Sequence, residues 1–124
     1  MDTLRELVEE YRKLQSKLAK ALEAKQSLLA QLNENEAVTA ELQAVPDAAE
    51  PSPIFKTCGP CLMRKSKPEA LENVASRKRL LEEEMRRVDA RLTETESALQ
   101  ARQEQIAAER QRLAAASGAA RVPG

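Results

Sequence analysis

The feature that most constrains this chain is where its helix breakers fall. Pro46, Pro51, Pro53, Gly59, Pro60 and Pro68 all lie between residues 46 and 68, and Gly118, Pro123 and Gly124 sit at the C-terminal end. Two long breaker-free stretches therefore flank a 23-residue connector. In the first stretch, alternate steps of three and four pick out Leu4, Leu7, Tyr11, Leu14, Leu18, Ala21, Lys25, Leu28, Leu32, Asn35, Thr39 and Leu42, nine of these twelve being apolar. In the second they pick out Leu71, Val74, Lys78, Leu81, Met85, Val88, Leu92, Thr95, Leu99, Arg102, Ile106, Glu109 and Leu113, nine apolar in thirteen. A repeat of about 3.5 residues is the seam of a left-handed coiled coil.

The pattern predicts a mainly α chain forming one domain. Helix 1 covers 3–45, a proline-rich loop 46–53, a hairpin 54–65, helix 2 66–117 and a flexible tail 118–124. Two arms of similar length with a compact connector fold back most simply as a long antiparallel two-helix coiled coil. A parallel homodimer with an interrupted coil is disfavoured by the breaker cluster at the midpoint. Thr3 with Glu6, and Ser66 with Glu69, have capping-box spacing, and Pro68 falls in a first turn, where its missing N–H is harmless. From Leu92 onward only every seventh residue of the seam is apolar, so the last turns are expected to pair loosely. Lys78, Arg79, Glu82, Glu83, Arg86 and Arg87 form a solvated face of i,i+4 opposite-charge pairs.

Composition narrows the function. Aromatic residues are 2% of the chain, only Tyr11 and Phe55, while 32% is charged. Such a chain closes a narrow seam instead of a round core and borrows stability from partner chains. Twenty basic and twenty acidic residues cancel, without the basic surplus of a nucleic-acid binder. No apolar run approaches the roughly 18 residues of a membrane span. Met1-Asp2-Thr3-Leu4 offers no basic region ahead of an apolar stretch, so no secretory signal is expected. Two cysteines and no histidine suit a soluble protein in a reducing compartment.

In the connector, Ile54–Cys58 and Cys61–Lys65 are two five-residue runs rich in β-branched, aromatic and apolar side chains. Gly59 supplies the positive φ of the first central position of a type II′ turn, and Pro60 fits the second. The segment reads as a β-hairpin. Isolated hairpins are marginal in water, and their edges carry unpaired backbone groups that seek further strands. An oligomerisation element at the closed end of the coil follows, the alternative being a hairpin folded onto the base of its own coil.

Cys58-Gly59-Pro60-Cys61 has the letters of a thioredoxin active site, but that chemistry needs a helix start within a βαβ unit, for which the connector has no room. A zinc-hook apex would need two chains to supply four thiolates to one metal. The context favours two small free thiols beside a turn, although opposed positions of a hairpin lie within disulfide reach. Without histidine or a Gly-rich phosphate loop, nothing marks a catalytic centre, and neither enzymatic activity nor a metal or other cofactor is expected.

The residues Gln31-Leu32-Asn33-Glu34-Asn35, Glu41-Leu42 and Ile54-Phe55-Lys56-Thr57-Cys58-Gly59-Pro60-Cys61-Leu62-Met63, set between two coils, resemble a prefoldin subunit of the β class, which has one hairpin where the α class has two. The Phe-Lys-x-x-Gly-Pro-x-Leu order is most like one β-class subunit of the eukaryotic complex. The likeness spans residues 4 to 113, and the hairpin is its specific part. Cys58 and Cys61 depart from the aliphatic residues usual there, and the lead-in from Pro46 to Pro53 is longer and richer in proline. The resemblance implies a heterohexamer of two α-class and four β-class subunits, with hairpins assembled into a β-barrel platform. It further implies ATP-independent capture of non-native actin and tubulin and their transfer to the cytosolic group II chaperonin, in the cytoplasm, without nucleic-acid or membrane partners. Assembly would rest on Ile54, Phe55, Thr57, Gly59, Pro60, Leu62 and Met63. Leu4, Leu7, Val8, Tyr11, Ile106 and Leu113 are expected to grip clients at the free ends of the coil, ordinary seam packing being the competing role. The rival reading of the whole chain is a plain coiled-coil scaffold without client binding.

Overall fold

The computed structural model describes residues 2–121. Helix α1 runs Asp2–Ala44, strands β1 and β2 are Phe55–Cys58 and Cys61–Arg64, and helix α2 runs Lys67–Arg121. The architecture is the expected one: two long helices joined by one two-stranded antiparallel hairpin.

The helix ends differ from the expected bounds for identifiable reasons. Helix α1 begins at Asp2, so Thr3 lies within the first turn and Asp2 brings its carboxylate to the positive end of the helix dipole. It ends at Ala44 because Val45, preceding Pro46, is sterically driven out of the α region. The Val45 N–H turns back to Leu42 O at 3.2 Å, and Ala49 N–H to Pro46 O at 3.2 Å closes the next turn. In α2, Ser66 is the cap and not the first residue: its Oγ accepts the Glu69 N–H at 3.3 Å. At the other end α2 continues through Gly118 to Arg121, although 118–124 reads as a flexible tail. Gly118 costs about 1 kcal/mol within a helix, less than the strong helix formers Ala114, Ala115, Ala116, Ala119 and Ala120 around it can sustain. Residues 122–124 lie outside the described chain.

The chain divides into two compact units, one made of the segments up to Ala24 and from Val88 onward, the other of Lys25–Arg87. In the first unit Ala21, Val88, Leu92, Thr95 and Ile106 are buried, and Arg102 Nε bridges to Glu10 Oε2 at 2.7 Å. In the second, Leu28, Asn35, Ala70 and Leu81 are buried. There Asn35 Nδ2 donates to Val74 O at 3.1 Å and Arg77 to Gln31 Oε1 at 3.5 Å. As one partner advances along α1 the other retreats along α2, so the segments run antiparallel. Every predicted seam position is buried or half-buried except Lys78, whose ammonium stays in water.

Asn35 is the one amide buried in the seam of the second unit, and its bond to the Val74 carbonyl fixes how the helices align. Burying a leucine there is worth about 2 kcal/mol, against about 1 kcal/mol for the lost hydrogen bond. Asn35→Leu is therefore expected to stabilise the chain by about 1 kcal/mol in urea unfolding while weakening hydrogen-exchange protection around Val74 as the register loosens. A destabilised variant would show that the amide does more than align.

Candidate functional site

The hairpin has a two-residue turn. Phe55 pairs with Arg64, Lys56 with Met63, Thr57 with Leu62 and Cys58 with Cys61. Gly59 has φ 60°, and no other described residue has positive φ; Pro60 therefore excludes a type I′ turn, which needs positive φ at both central positions. At the base, the Lys65 N–H donates to Ile54 O at 2.9 Å. Pairing alternates between hydrogen-bonded and non-hydrogen-bonded types along an antiparallel ladder. Ile54–Lys65, Lys56–Met63 and Cys58–Cys61 are thus of the first type, Phe55–Arg64 and Thr57–Leu62 of the second. Phe55, Thr57, Leu62 and Arg64 share one face, where the Arg64 guanidinium lies 4.8 Å from the Phe55 ring centroid. Lys56, Cys58, Cys61 and Met63 share the other.

The proline-rich lead-in is tied to this hairpin through Ser52. Its Oγ donates to Lys65 O at 2.7 Å and accepts the Ile54 N–H at 3.3 Å, while its carbonyl accepts from Arg64 at 2.6 Å. The strand proper begins only at Phe55. Lys67 closes the connector from below. Its side chain is 15% exposed and donates to Gln43 O at 3.2 Å and Val45 O at 2.7 Å, the carbonyls left open by the end of α1. It also pairs with Asp47 at 2.7 Å. The hydrogen bond from Lys67, then its positive charge, holds the Asp47 carboxyl below the usual carboxylate range. A lowered folded-state value favours folding once Asp47 is ionised, and that contribution fades as pH falls below about 4.

All eight strand residues are exposed. Leu62 is 68% exposed, and Phe55 and Met63 are each 49% exposed. Beside the hairpin lies an open cleft of about 500 Å³, lined by Val38, Leu42, Ile54, Phe55, Ala70, Val74 and Leu80 among others. Leu80 is 67% exposed. The base of the hairpin thus borders the coil, but its strands do not fold down onto it.

The sequence expectations named Ile54, Phe55, Thr57, Gly59, Pro60, Leu62 and Met63, and the structure gathers all seven in this hairpin. Missed were Val38 and Leu80, which extend the apolar surface along α1 and α2. The available signal was that Leu80 directly precedes the seam residue Leu81, leaving a leucine that the seam cannot bury. The other expected group, Leu4, Leu7, Val8, Tyr11, Ile106 and Leu113, belongs to the first unit. Ile106 is buried there and the remaining five are half-buried. The Glu10–Arg102 bridge places these two positions side by side, so the first turns of α1 run along the segment from Arg102 to Leu113. The charged seam positions are paired: Arg102 to Glu10, and Glu109 to Arg112 at 2.6 Å. Arg112 lowers the Glu109 pKa chiefly through that hydrogen bond.

Among the described residues no group of three or more His, Cys, Asp or Glu side chains could hold a metal ion. No described helix is long and apolar enough to cross a membrane.

Comparison with known proteins matches residues 5–114 to the family described as Prefoldin subunit. Prefoldin subunit 6 of Mus musculus is 34% identical over 117 residues, covering 94% of this chain and 89% of that protein. Prefoldin subunit 6 of Homo sapiens is likewise 34% identical, over 118 residues, with the same coverage. The prefoldin beta subunit of Thermococcus strain KS-1 superposes with a TM-score of 0.81 at 18% identity, over 88% of this chain and 93% of that one, a likeness of fold. The family match spans the hairpin and both flanking helices, the fold likeness agrees with it, and the chain belongs to the prefoldin family.

Proposed function

We propose that this chain is a β-class subunit of a heterohexameric prefoldin, working with two α-class and three further β-class subunits as an ATP-independent holdase. The observation that carries the reading is the hairpin: eight exposed strand residues with Phe55, Leu62 and Met63 open to solvent beside an apolar cleft. Both its outer edges offer backbone groups to neighbouring strands. Ile54, Phe55, Thr57, Leu62 and Met63 form the assembly surface, and Gly59 and Pro60 hold its turn. Val38 and Leu80 widen that surface. Leu4, Leu7, Val8, Tyr11, Ile106 and Leu113 contact non-native clients, actin and tubulin chains, which pass to the cytosolic group II chaperonin. The role is that of a cytoplasmic co-chaperone and involves no catalysis.

The test is reconstitution. The full chain, alone and mixed with α-class and other β-class subunits, is followed by sedimentation and native mass spectrometry. A heterohexamer that forms only with the α-class chains is expected. A stable homodimer or homotetramer indifferent to them would overturn the reading in favour of a plain coiled-coil scaffold.

A further inference from the structure

Two cysteines directly opposed across a turn form a chemical site in their own right. Cys58 and Cys61 are cross-strand partners, and both are exposed free thiols. Opposed residues of an antiparallel pair project to the same face, here the face shared with Lys56 and Met63. The ladder parity set by the Lys65–Ile54 bond makes them a hydrogen-bonded pair, with Cα atoms about 5.5 Å apart, well inside the range that a disulfide spans.

We propose that Cys58 and Cys61 are a reversible thiol–disulfide site that exchanges with low-molecular-weight disulfides, glutathione disulfide being the representative. In the first step one cysteine thiolate attacks a sulfur of glutathione disulfide. A protein–glutathione mixed disulfide forms and one glutathione thiolate leaves. In the second the opposed cysteine, as thiolate, attacks the protein sulfur of that mixed disulfide. The Cys58–Cys61 bond forms and a second glutathione leaves. The dithiol loses two electrons and two protons, and one glutathione disulfide becomes two reduced glutathiones. The second step is intramolecular and outruns any second external thiol.

The same geometry makes the bond labile. Opposed Cβ atoms lie roughly 4.5–5.5 Å apart, while a relaxed disulfide holds them at about 3.8 Å. Closing the bond draws the strand ends together by about 1 Å and stores strain, which favours reduction. The ring spans only the four residues Cys58 to Cys61, so little chain entropy is gained on closing it. A site that closes fast and opens readily is suited to switching between states, and poorly suited to holding a fold together. It sits at the apex of the hairpin, so oxidation cross-links and stiffens that apex.

The experiment uses the reduced full chain in glutathione buffers of stepped oxidation, quenched by alkylation and weighed by mass spectrometry. The expected product is a monomer lighter by two hydrogens, exceeding the glutathione adduct by at least about tenfold because closure is intramolecular. Excess reduced glutathione should restore the dithiol completely. Cys61→Ser should stop at a stable adduct on Cys58, with unchanged helical circular dichroism as the check on folding. Adducts at both cysteines, disulfide-linked dimers in place of the intrachain bond, or a bond that resists excess reduced glutathione would each overturn the proposal. The measurement is made on the isolated chain, so it stands or falls independently of hexamer assembly.

Discussion

Replacing Leu62 with aspartate is expected to exclude the chain from the assembled complex while leaving its helices intact. In the lone chain Leu62 is 68% exposed, so the substitution removes almost no packing and the carboxylate stays in water. In a dry interface between hairpins the same carboxylate loses its hydration without a designated partner, at a cost of several kcal/mol. Each 1.4 kcal/mol is tenfold in association, so incorporation falls by about a hundredfold or more. Native mass spectrometry of reconstituted subunits reads the loss, and circular dichroism checks that helix content is unchanged. Phe55→Asp should act in the same direction but also removes the ring beneath Arg64, which makes Leu62→Asp the cleaner variant. Normal assembly of Leu62→Asp would show that the open face of the hairpin is not an interface.

Removing residues 1–11 together with 107–124 is expected to reduce suppression of client aggregation to background, with the hexamer still forming. The deletion takes away Leu4, Leu7, Val8, Tyr11 and Leu113, all half-buried and each with apolar surface to share between seam and client. Ile106 is retained and is the informative residue, because it is buried when both helices are complete. Its engagement with a client requires the terminal turns to open, and helix ends are the low-stability part of such a structure. The truncated chain leaves Ile106 without that cover, so it tests whether one exposed isoleucine can substitute for the whole group. Light scattering of a denatured client diluted into the complex supplies the readout. Undiminished suppression would move the client surface elsewhere, with the exposed Leu22 and Leu29 as the next candidates.

The heptad positions were legible because a two-helix seam is written once per half-heptad and little else competes for those residues. From Leu4 to Leu42 every turn repeats the instruction, and each of those twelve positions is at least half-buried. The turn was equally legible, since Gly59 and Pro60 leave few conformations open. The helix ends were less so. Val45 obeys a steric effect of the next residue, and Gly118 is outvoted by its alanine neighbours, so neither declares its state alone. The cleft was not legible at all. Val38 and Leu80 lie off the seam on different helices, and only the fold brings them beside Phe55. Nor does periodicity reveal that the charged seam residues Arg102 and Glu109 are satisfied by Glu10 and Arg112.

The two-stranded hairpin has one further consequence, which concerns termination. With only β1 and β2 in its sheet, the hairpin has an open edge on each side, and satisfying one leaves the other still seeking a strand. Strand addition of this kind never completes itself by growing; it ends only when the last edge meets the first. A ring is therefore the smallest arrangement in which no subunit is left with an adhesive border, and an interrupted ring grows toward a fibre. The cations Lys56 and Arg64, one on each strand, stand against that outcome, since like charges brought edge to edge by mispaired copies repel.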